Sequence, residues 1–307
     1  MVTIPSRVEI VEVGPRDGLQ NENVLLPVAD KVELIERLAR AGLIRIEAGS
    51  FVSPTAAPQM ASTGEVLRRL GPRSDLRLSA LVPNLRGLPA ALEAGVKEIA
   101  VFAAASESFS QRNINCSIAE SLERFAAVAA EAMRRGVQAR GYVSCAFGCP
   151  FEGEIAPRDV VNLALELRGM GCREISLGDT IGVATPLRAR RLVESVAGKI
   201  GFGPLAVHFH DTYGQALANI FACLETGVSI VDAAVGGLGG CPYAPGASGN
   251  VATEDVVYML DGMGVETGVK LKELLEAGAF VAQRLGRDPS SSVARALATT
   301  AEHGRSA

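Results

Sequence analysis

Apolar residues gather in eight short runs along the chain, at 8–13, 44–48, 76–82, 98–103, 137–143, 174–177, 205–210 and 230–235. Each is rich in branched aliphatics, as a buried strand requires, and stretches of helical spacing separate them. Between the first two runs, residues 27–40 place apolar side chains at helical spacing, and Gly42 stands where a helix C-cap belongs. The device recurs as Ala-Gly-Val at 94–96, Arg-Gly-Val at 135–137, Met-Gly-Cys at 170–172 and Thr-Gly-Val at 226–228. Eight strand-then-helix units predict an α/β fold, a closed TIM (β/α)8 barrel. An open doubly wound sheet shares the alternation but does not bring the polar ends of the first and seventh runs together so naturally. Further helices are expected to start near Thr253, Val269 and Ser291. The last two exceed a barrel's needs and are expected to cover a barrel end or a neighbouring subunit, with residues 302–307 frayed. The expectation is one catalytic domain over 1–307, barrel about 6–265 and additional C-terminal helices about 266–303.

Composition narrows the function classes. The 307 residues are 48% hydrophobic and only 5% aromatic, a balance that favours the small and branched aliphatics of parallel-sheet interiors. A net charge of −4 and the absence of a basic run argue against nucleic acid as a partner. No apolar stretch has a membrane span's length, so no membrane partner is expected. The start, Met1-Val2-Thr3-Ile4-Pro5, passes almost at once into strand pattern without a signal peptide's apolar core. The six cysteines lack the density of a secreted scaffold, and a cytoplasmic location with reduced thiols follows as the expectation.

Polar residues cluster where the runs end. The first leads into Gly14-Pro15-Arg16-Asp17-Gly18-Leu19-Gln20, the second ends near Glu47, the sixth on Asp179-Thr180, and the seventh carries His208 and His210. A barrel brings all of them to its C-terminal mouth. His208 and His210 are two of three histidines, and i,i+2 on a strand sets both imidazoles on one face. An isolated pair of this kind is more often a hydrogen-bonded interior pair than a ligand pair. Asp17 and Asn250 turn the balance, because a carboxylate, an amide oxygen and two imidazoles form a mixed donor set suited to Mg²⁺ or Mn²⁺. Arg16 is read in two compatible ways, as a salt bridge to Glu47 closing the mouth and as a fixed positive group for an oxygen that gains charge. Glu47 is expected to orient Arg16 or a metal-bound water, and Asp179 to hold a ligand or water from behind.

Residues 236–250 contain six glycines, the composition of a mobile lid or of backbone that approaches a ligand closely. Cys241 at its centre is a candidate proton carrier if a metal and Arg16 lower its pKa. Cys116, Cys172 and Cys223 read as buried small hydrophobes; so do Cys145 and Cys149, whose spacing lacks a second pair for a metal site.

These segments, with Ser50-Phe51-Val52-Ser53-Pro54, Gly178-Asp179-Thr180-Ile181-Gly182 and Gly239-Gly240-Cys241-Pro242-Tyr243, resemble the hydroxymethylglutaryl-CoA lyase family over nearly the whole chain. The resemblance implies a TIM barrel with metal ligands at Asp17, His208, His210 and Asn250, a substrate-binding arginine at Arg16 and a catalytic cysteine at Cys241. It implies a carbon–carbon lyase that cleaves an acyl-CoA, (S)-3-hydroxy-3-methylglutaryl-CoA, to acetyl-CoA and acetoacetate. Arg16, Asp17, Glu47, His208 and Cys241 are the expected catalytic groups; Arg16, Gln20, Asp179 and Thr180 the expected substrate contacts. Asn23 stands where many relatives carry lysine, and Thr55-Ala56-Ala57 where Lys-Trp-Val is frequent, leaving a smaller, uncharged rim. The alternatives are a related lyase or Claisen condensing enzyme for a longer or different 3-hydroxy-acyl-CoA, and an idle CoA- or metal-binding protein. A homodimer is expected, because the extra C-terminal helices offer a surface to bury.

Overall fold

The structure, a computed structural model, describes residues 4–240 and 249–303. Eight strands are present among them: β1 (Glu9–Glu12), β2 (Arg45–Ser50), β3 (Arg77–Leu81), β4 (Glu98–Ala104), β5 (Gln138–Ser144), β6 (Glu174–Asp179), β7 (Leu205–Phe209) and β8 (Ile230–Ala233). All pair in parallel in chain order, and β8 closes on β1 through Glu9–Ile230 to Glu12–Ala233. The helices are α1 (Val28–Arg40), α2 (Thr63–Leu70), α3 (Leu88–Glu93), α4 (Glu107–Ile114), α5 (Ile118–Arg134), α6 (Pro157–Gly169), α7 (Pro186–Ile200), α8 (Ala216–Leu224), α9 (Thr253–Gly262), α10 (Leu271–Leu285) and α11 (Ser292–His303). The eight-unit barrel is therefore as expected, with two helices, α4 and α5, in the crossover after β4.

Local chemistry explains the boundaries. Ser117 and Glu120 form a reciprocal capping box that starts α5. The helix-stop glycine after α1, Gly42, has φ +97°, and a Cβ there would collide with the Gly268 carbonyl. Of the extra helices, α10 packs against both α1 and α9 and so completes the outer ring rather than covering an end. Arg284 and Arg287 tie its C-terminal side to Asp30 and Glu22. Asp255 on α9 accepts the backbone N–H groups of Ser292 and Val293 and caps α11, which runs to His303.

The two faces of the sheet carry different chemistry. Ile46, Ile99, Val101, Ile175, Leu177, Val207 and Val231 belong to the main core between strands and helices. The alternate positions point into the barrel, and they are not the aliphatic layers expected from composition. Arg45, Glu47, Glu98, Arg140, Glu174, Ser176, His208 and Asp232 stand there, with a small apolar cluster of Leu81, Ala100 and Tyr142 beside them. Arg45 contacts Glu9, Glu98 and Glu174 near the N-terminal end, and Arg140 links Glu174 to Asp232. Burying these charges costs heavily unless each is paired, so a closed network of partners replaces hydrophobic filling.

Candidate active site and metal centre

The first site residues come from a π-helical turn, Gly14–Gly18, that follows β1 directly and carries Arg16 and Asp17 over the C-terminal mouth. Such single turns aim consecutive side chains at a site that a regular helix would splay apart. Arg16 Nε donates to Glu47 Oε2 at 2.6 Å, and its Nη1 donates to Asp17 Oδ1 at 2.6 Å. The guanidinium lies over the Tyr142 ring, 5.4 Å from its centre. Burial alone would lower the Arg16 pKa, but Glu47 and Asp17 outweigh it and keep the group charged. Both readings of Arg16 coexist here: it is salt-bridged, and it lines the mouth cavity.

Asp17 faces the two histidines. His208 Nε2 and His210 Nε2 stand 3.9 and 3.8 Å from Asp17 Oδ2. These separations are too long for hydrogen bonds. They fall between the cis spacing of about 3 Å and the trans spacing of about 4.2 Å that oxygen and nitrogen ligands adopt around one small octahedral cation. Burial would raise the Asp17 carboxyl, but Arg16 and the histidines hold it well below the usual carboxylate range, so it is an anion. Asn250 joins them through a bridge between its backbone and that of His210, and its Nδ2 donates to Asp17 Oδ2 at 2.9 Å. Glycine makes this closeness possible: at Gly239, φ +116°, a Cβ would lie 2.7 Å from Asn250 Nδ2.

Behind the histidines stand groups that the sequence reading did not single out. Asp232 on β8 accepts from Arg140 at 2.6 Å, from Ser176 at 2.8 Å, and lies 3.3 Å from His208 Nδ1. Burial opposes its ionisation, yet Arg140 prevails and holds it well below the usual range. A carboxylate at Nδ1 fixes the tautomer that turns the Nε2 lone pair toward Asp17, the support that metal-bound histidines require. Tyr142 donates to Glu47 Oε2 at 3.2 Å and receives Arg140 Nη1 at 2.6 Å. The available signal was a charge inside each apolar run: Arg140 in the fifth, Asp232 in the eighth and Glu12 in the first.

The residues fit a divalent cation. Asp17, His208 and His210 offer ligand atoms within 4.8 Å of one another. Glu47 Oε1 and His210 Nδ1 are buried without a partner among the described residues. Burial raises both the Glu47 and the Asp179 carboxyls.

The mouth opens into a cavity of about 620 Å³ lined by Arg16, Asp17, Gln20, Thr180, His208 and His210 on one side. Gln20 Oε1 has no partner among the described residues, while Thr180 Oγ1 accepts the Cys145 amide at 2.8 Å. Asp179 does not line this cavity. Strand alternation turns it outward, where its two oxygens accept Val183 N at 3.0 Å and Ala184 N at 2.9 Å, so it holds the loop after β6 instead of touching a substrate. Cys241 lies outside the described residues, as do residues 242–248 of the glycine-rich segment. The other five cysteines are buried and in no disulfide, and burial pushes Cys172 up to about 12.

A family model described as HMGL-like matches residues 7–281. The chain is 55% identical over 296 residues to a Pseudomonas aeruginosa protein named 3-hydroxy-3-isohexenylglutaryl-CoA/hydroxy-methylglutaryl-CoA lyase, covering 96% of this chain and 99% of that one. A crystal structure of hydroxymethylglutaryl-CoA lyase from Pseudomonas aeruginosa superposes with a TM-score of 0.95 at 55% identity, covering 98% of this chain and all of that one. An HMG-CoA lyase from Acinetobacter baumannii, solved with coenzyme A and 3-methylmalate, superposes with a TM-score of 0.92 at 39% identity, covering 96% and 97% of the two chains.

Proposed function

The chain belongs to the HMGL-like family of hydroxymethylglutaryl-CoA lyases, and from that premise we propose that it cleaves (S)-3-hydroxy-3-methylglutaryl-CoA to acetyl-CoA and acetoacetate in a metal-dependent retro-Claisen reaction. The observation that carries this reading is the meeting, in one cavity, of a fixed guanidinium with a carboxylate–imidazole ligand set. A Mg²⁺ or Mn²⁺ ion held by Asp17, His208, His210 and Asn250 supplies Lewis acidity that lowers the pKa of the substrate's tertiary hydroxyl. The hydroxyl proton passes to Asp17, while His208, whose Nδ1 faces Asp232, would serve as a ligand. As the bond between C2 and C3 breaks, its electron pair moves into the thioester, and Arg16, oriented by Glu47, stabilises the enolate oxygen. Cys241 then returns a proton to C2, completing acetyl-CoA, while C3 becomes the ketone of acetoacetate. Gln20 and Thr180 position the polar groups of the substrate.

We read 1–307 as a single catalytic domain acting as a homodimer. A cytoplasmic location accords with the absence of disulfides among the described cysteines, and no helix among the described residues is long and apolar enough to cross a membrane. The test is turnover of 3-hydroxy-3-methylglutaryl-CoA with Mg²⁺, before and after chelation. Equal amounts of acetyl-CoA and acetoacetate that vanish with chelator and return with metal are expected. No cleavage under any metal condition overturns the reading.

A further inference from the structure

Strand register carries the row of His208 sideways onto β5. Gly178 pairs with His208 across β6 and β7, and Val143 pairs with Leu177 across β5 and β6, so the next position, Ser144, stands beside Gly178. With neighbouring strands about 4.8 Å apart, Ser144 lies two spacings, about 10 Å, from His208. Its side chain belongs to the inward face. Tyr142 and Arg140, the alternate residues before it, reach Glu47 and Asp232 inside the barrel. The Tyr142 ring stands edge-on to the His208 ring with centres 6.2 Å apart, which ties this face of β5 to the ligand set. Between Ser144 and His208 the row holds no side chain, because Gly178 occupies it. A Cβ on Gly178 would lie 3.8 Å from Ser144 Cα and 3.9 Å from Thr180 Oγ1.

The chain bends sharply at this point. Cys145, next after Ser144, has φ +57°, a left-handed backbone that residues with a Cβ adopt only at a cost, and its N–H donates to Thr180 Oγ1 at 2.8 Å. Thr180 Oγ1 thus accepts from the backbone and keeps its own proton for another acceptor. Ser144 Oγ takes no hydrogen bond among the described residues, and both hydroxyl residues border the mouth cavity. Two O–H donors beside a bare glycine form a cradle for an anionic oxygen. In the acyl group of the function proposed above, the tertiary hydroxyl goes to the metal and the thioester oxygen to Arg16, which leaves the free carboxylate. Resting on that reading, we propose that Ser144 and Thr180 hold this carboxylate over the open face of Gly178, and that Ser144 thereby selects thioesters of dicarboxylic acids. Hydrogen bonds to an ionised group are the stronger kind, so loss of one such hydroxyl changes affinity by about tenfold or more.

Glutaryl-CoA and butyryl-CoA differ by that carboxylate alone, and neither carries the hydroxyl that cleavage needs, so calorimetric titration of the Mg²⁺-loaded protein with each isolates the contact. Wild type is expected to bind glutaryl-CoA at least tenfold more tightly. Ser144→Ala should weaken glutaryl-CoA about tenfold, leave butyryl-CoA unchanged, and raise KM for 3-hydroxy-3-methylglutaryl-CoA by a larger factor than it lowers kcat. The substitution removes one oxygen and leaves the strand pairing, made by backbone atoms, in place; circular dichroism checks the fold. Equal binding of the two thioesters by wild type overturns the cradle and leaves the proposed function standing. So does an equal loss on both in Ser144→Ala, or an unchanged glutaryl-CoA affinity in that variant. Selective binding of glutaryl-CoA without any cleavage of 3-hydroxy-3-methylglutaryl-CoA overturns the proposed function alone.

Discussion

The two ends of the barrel interior are both lined by arginines and carboxylates, and both carry a cavity, of about 440 Å³ at the N-terminal end and about 620 Å³ at the mouth. At the N-terminal end Arg45 meets Glu9, Glu98 and Glu174, Arg77 meets Glu9, and Arg140 meets Glu174, so cations and anions balance. At the mouth one cation, Arg16, faces Asp17 and Glu47, with Asp179 behind them and two imidazole nitrogens turned inward. The same chemistry therefore does two jobs. A closed network holds strands together, whereas an unbalanced one keeps affinity in reserve for a cation and an anionic substrate.

The largest effect that tests this contrast is metal removal. Chelation is expected to abolish thioester cleavage, read as acetyl-CoA release, with the melting temperature nearly retained because the N-terminal network is closed by its own ion pairs. Arg16→Gln follows: a fall in kcat of about 10²- to 10³-fold, the usual consequence of losing one donor to a developing oxyanion, with an unchanged circular dichroism spectrum. Near-normal turnover in that variant removes Arg16 from the chemistry. Arg45→Leu inverts the pattern. It strips Glu98 of its cation, leaving Glu9 to Arg77 and Glu174 to Arg140, and should cost about 3 kcal/mol in urea unfolding, at the low end for a broken buried network because those two pairs remain, while kcat stays at the wild-type level.

Asp232→Asn lies on the border between the two regions. It keeps the shape but loses the charge that orients His208, and the expected result is a 10- to 100-fold weaker metal affinity by calorimetry. An unchanged affinity assigns Asp232 to the structural network alone. The smallest effect concerns Glu12, which accepts from Gly14 N at 2.8 Å, Val235 N at 2.9 Å and Thr253 Oγ1 at 2.7 Å, and so joins the turn bearing Arg16 to the start of the glycine-rich segment. Burial pushes Glu12 up to about 7 and Glu254, which accepts Gly236 N, up to about 8. A carboxyl with a raised folded-state pKa binds its proton more tightly when folded. Its contribution is fully present below the unfolded value near 4.5 and is lost as pH rises through the folded one. The melting temperature should therefore decline by a few degrees between about pH 5 and pH 8, and Glu12→Gln should flatten part of that slope.

Much of the fold was legible in the chain itself. Every expected strand lies within two residues of the observed one, because a strand buried between barrel and helices reads as a continuous apolar run and most of the helices between them stop at a glycine. That Arg16, Asp17, His208 and His210 meet at one mouth was legible for a similar reason: they are polar groups at strand ends, where a barrel converges. Asp232, Arg140 and Tyr142 escaped because each sits within an apolar run, and their partners are 24 to 95 residues away in the chain. Asp179 was misplaced at the substrate because a strand-end position does not say which way the side chain points. Counting alternate residues from Ser176, which faces Asp232 inside the barrel, turns Asp179 outward.

The sequence by itself determined the number and order of the βα units, the barrel class and the chemical kind of the mouth residues, since these follow from local periodicity and residue type. Tertiary structure alone decided which charges are satisfied and which are left facing the cavity. The choice of inward and outward faces and the replacement of aliphatic layers by charged groups in the barrel interior depend on closure of the sheet. Closure brings β8 onto β1, and the energy of a buried charge is set by the neighbours that closure supplies.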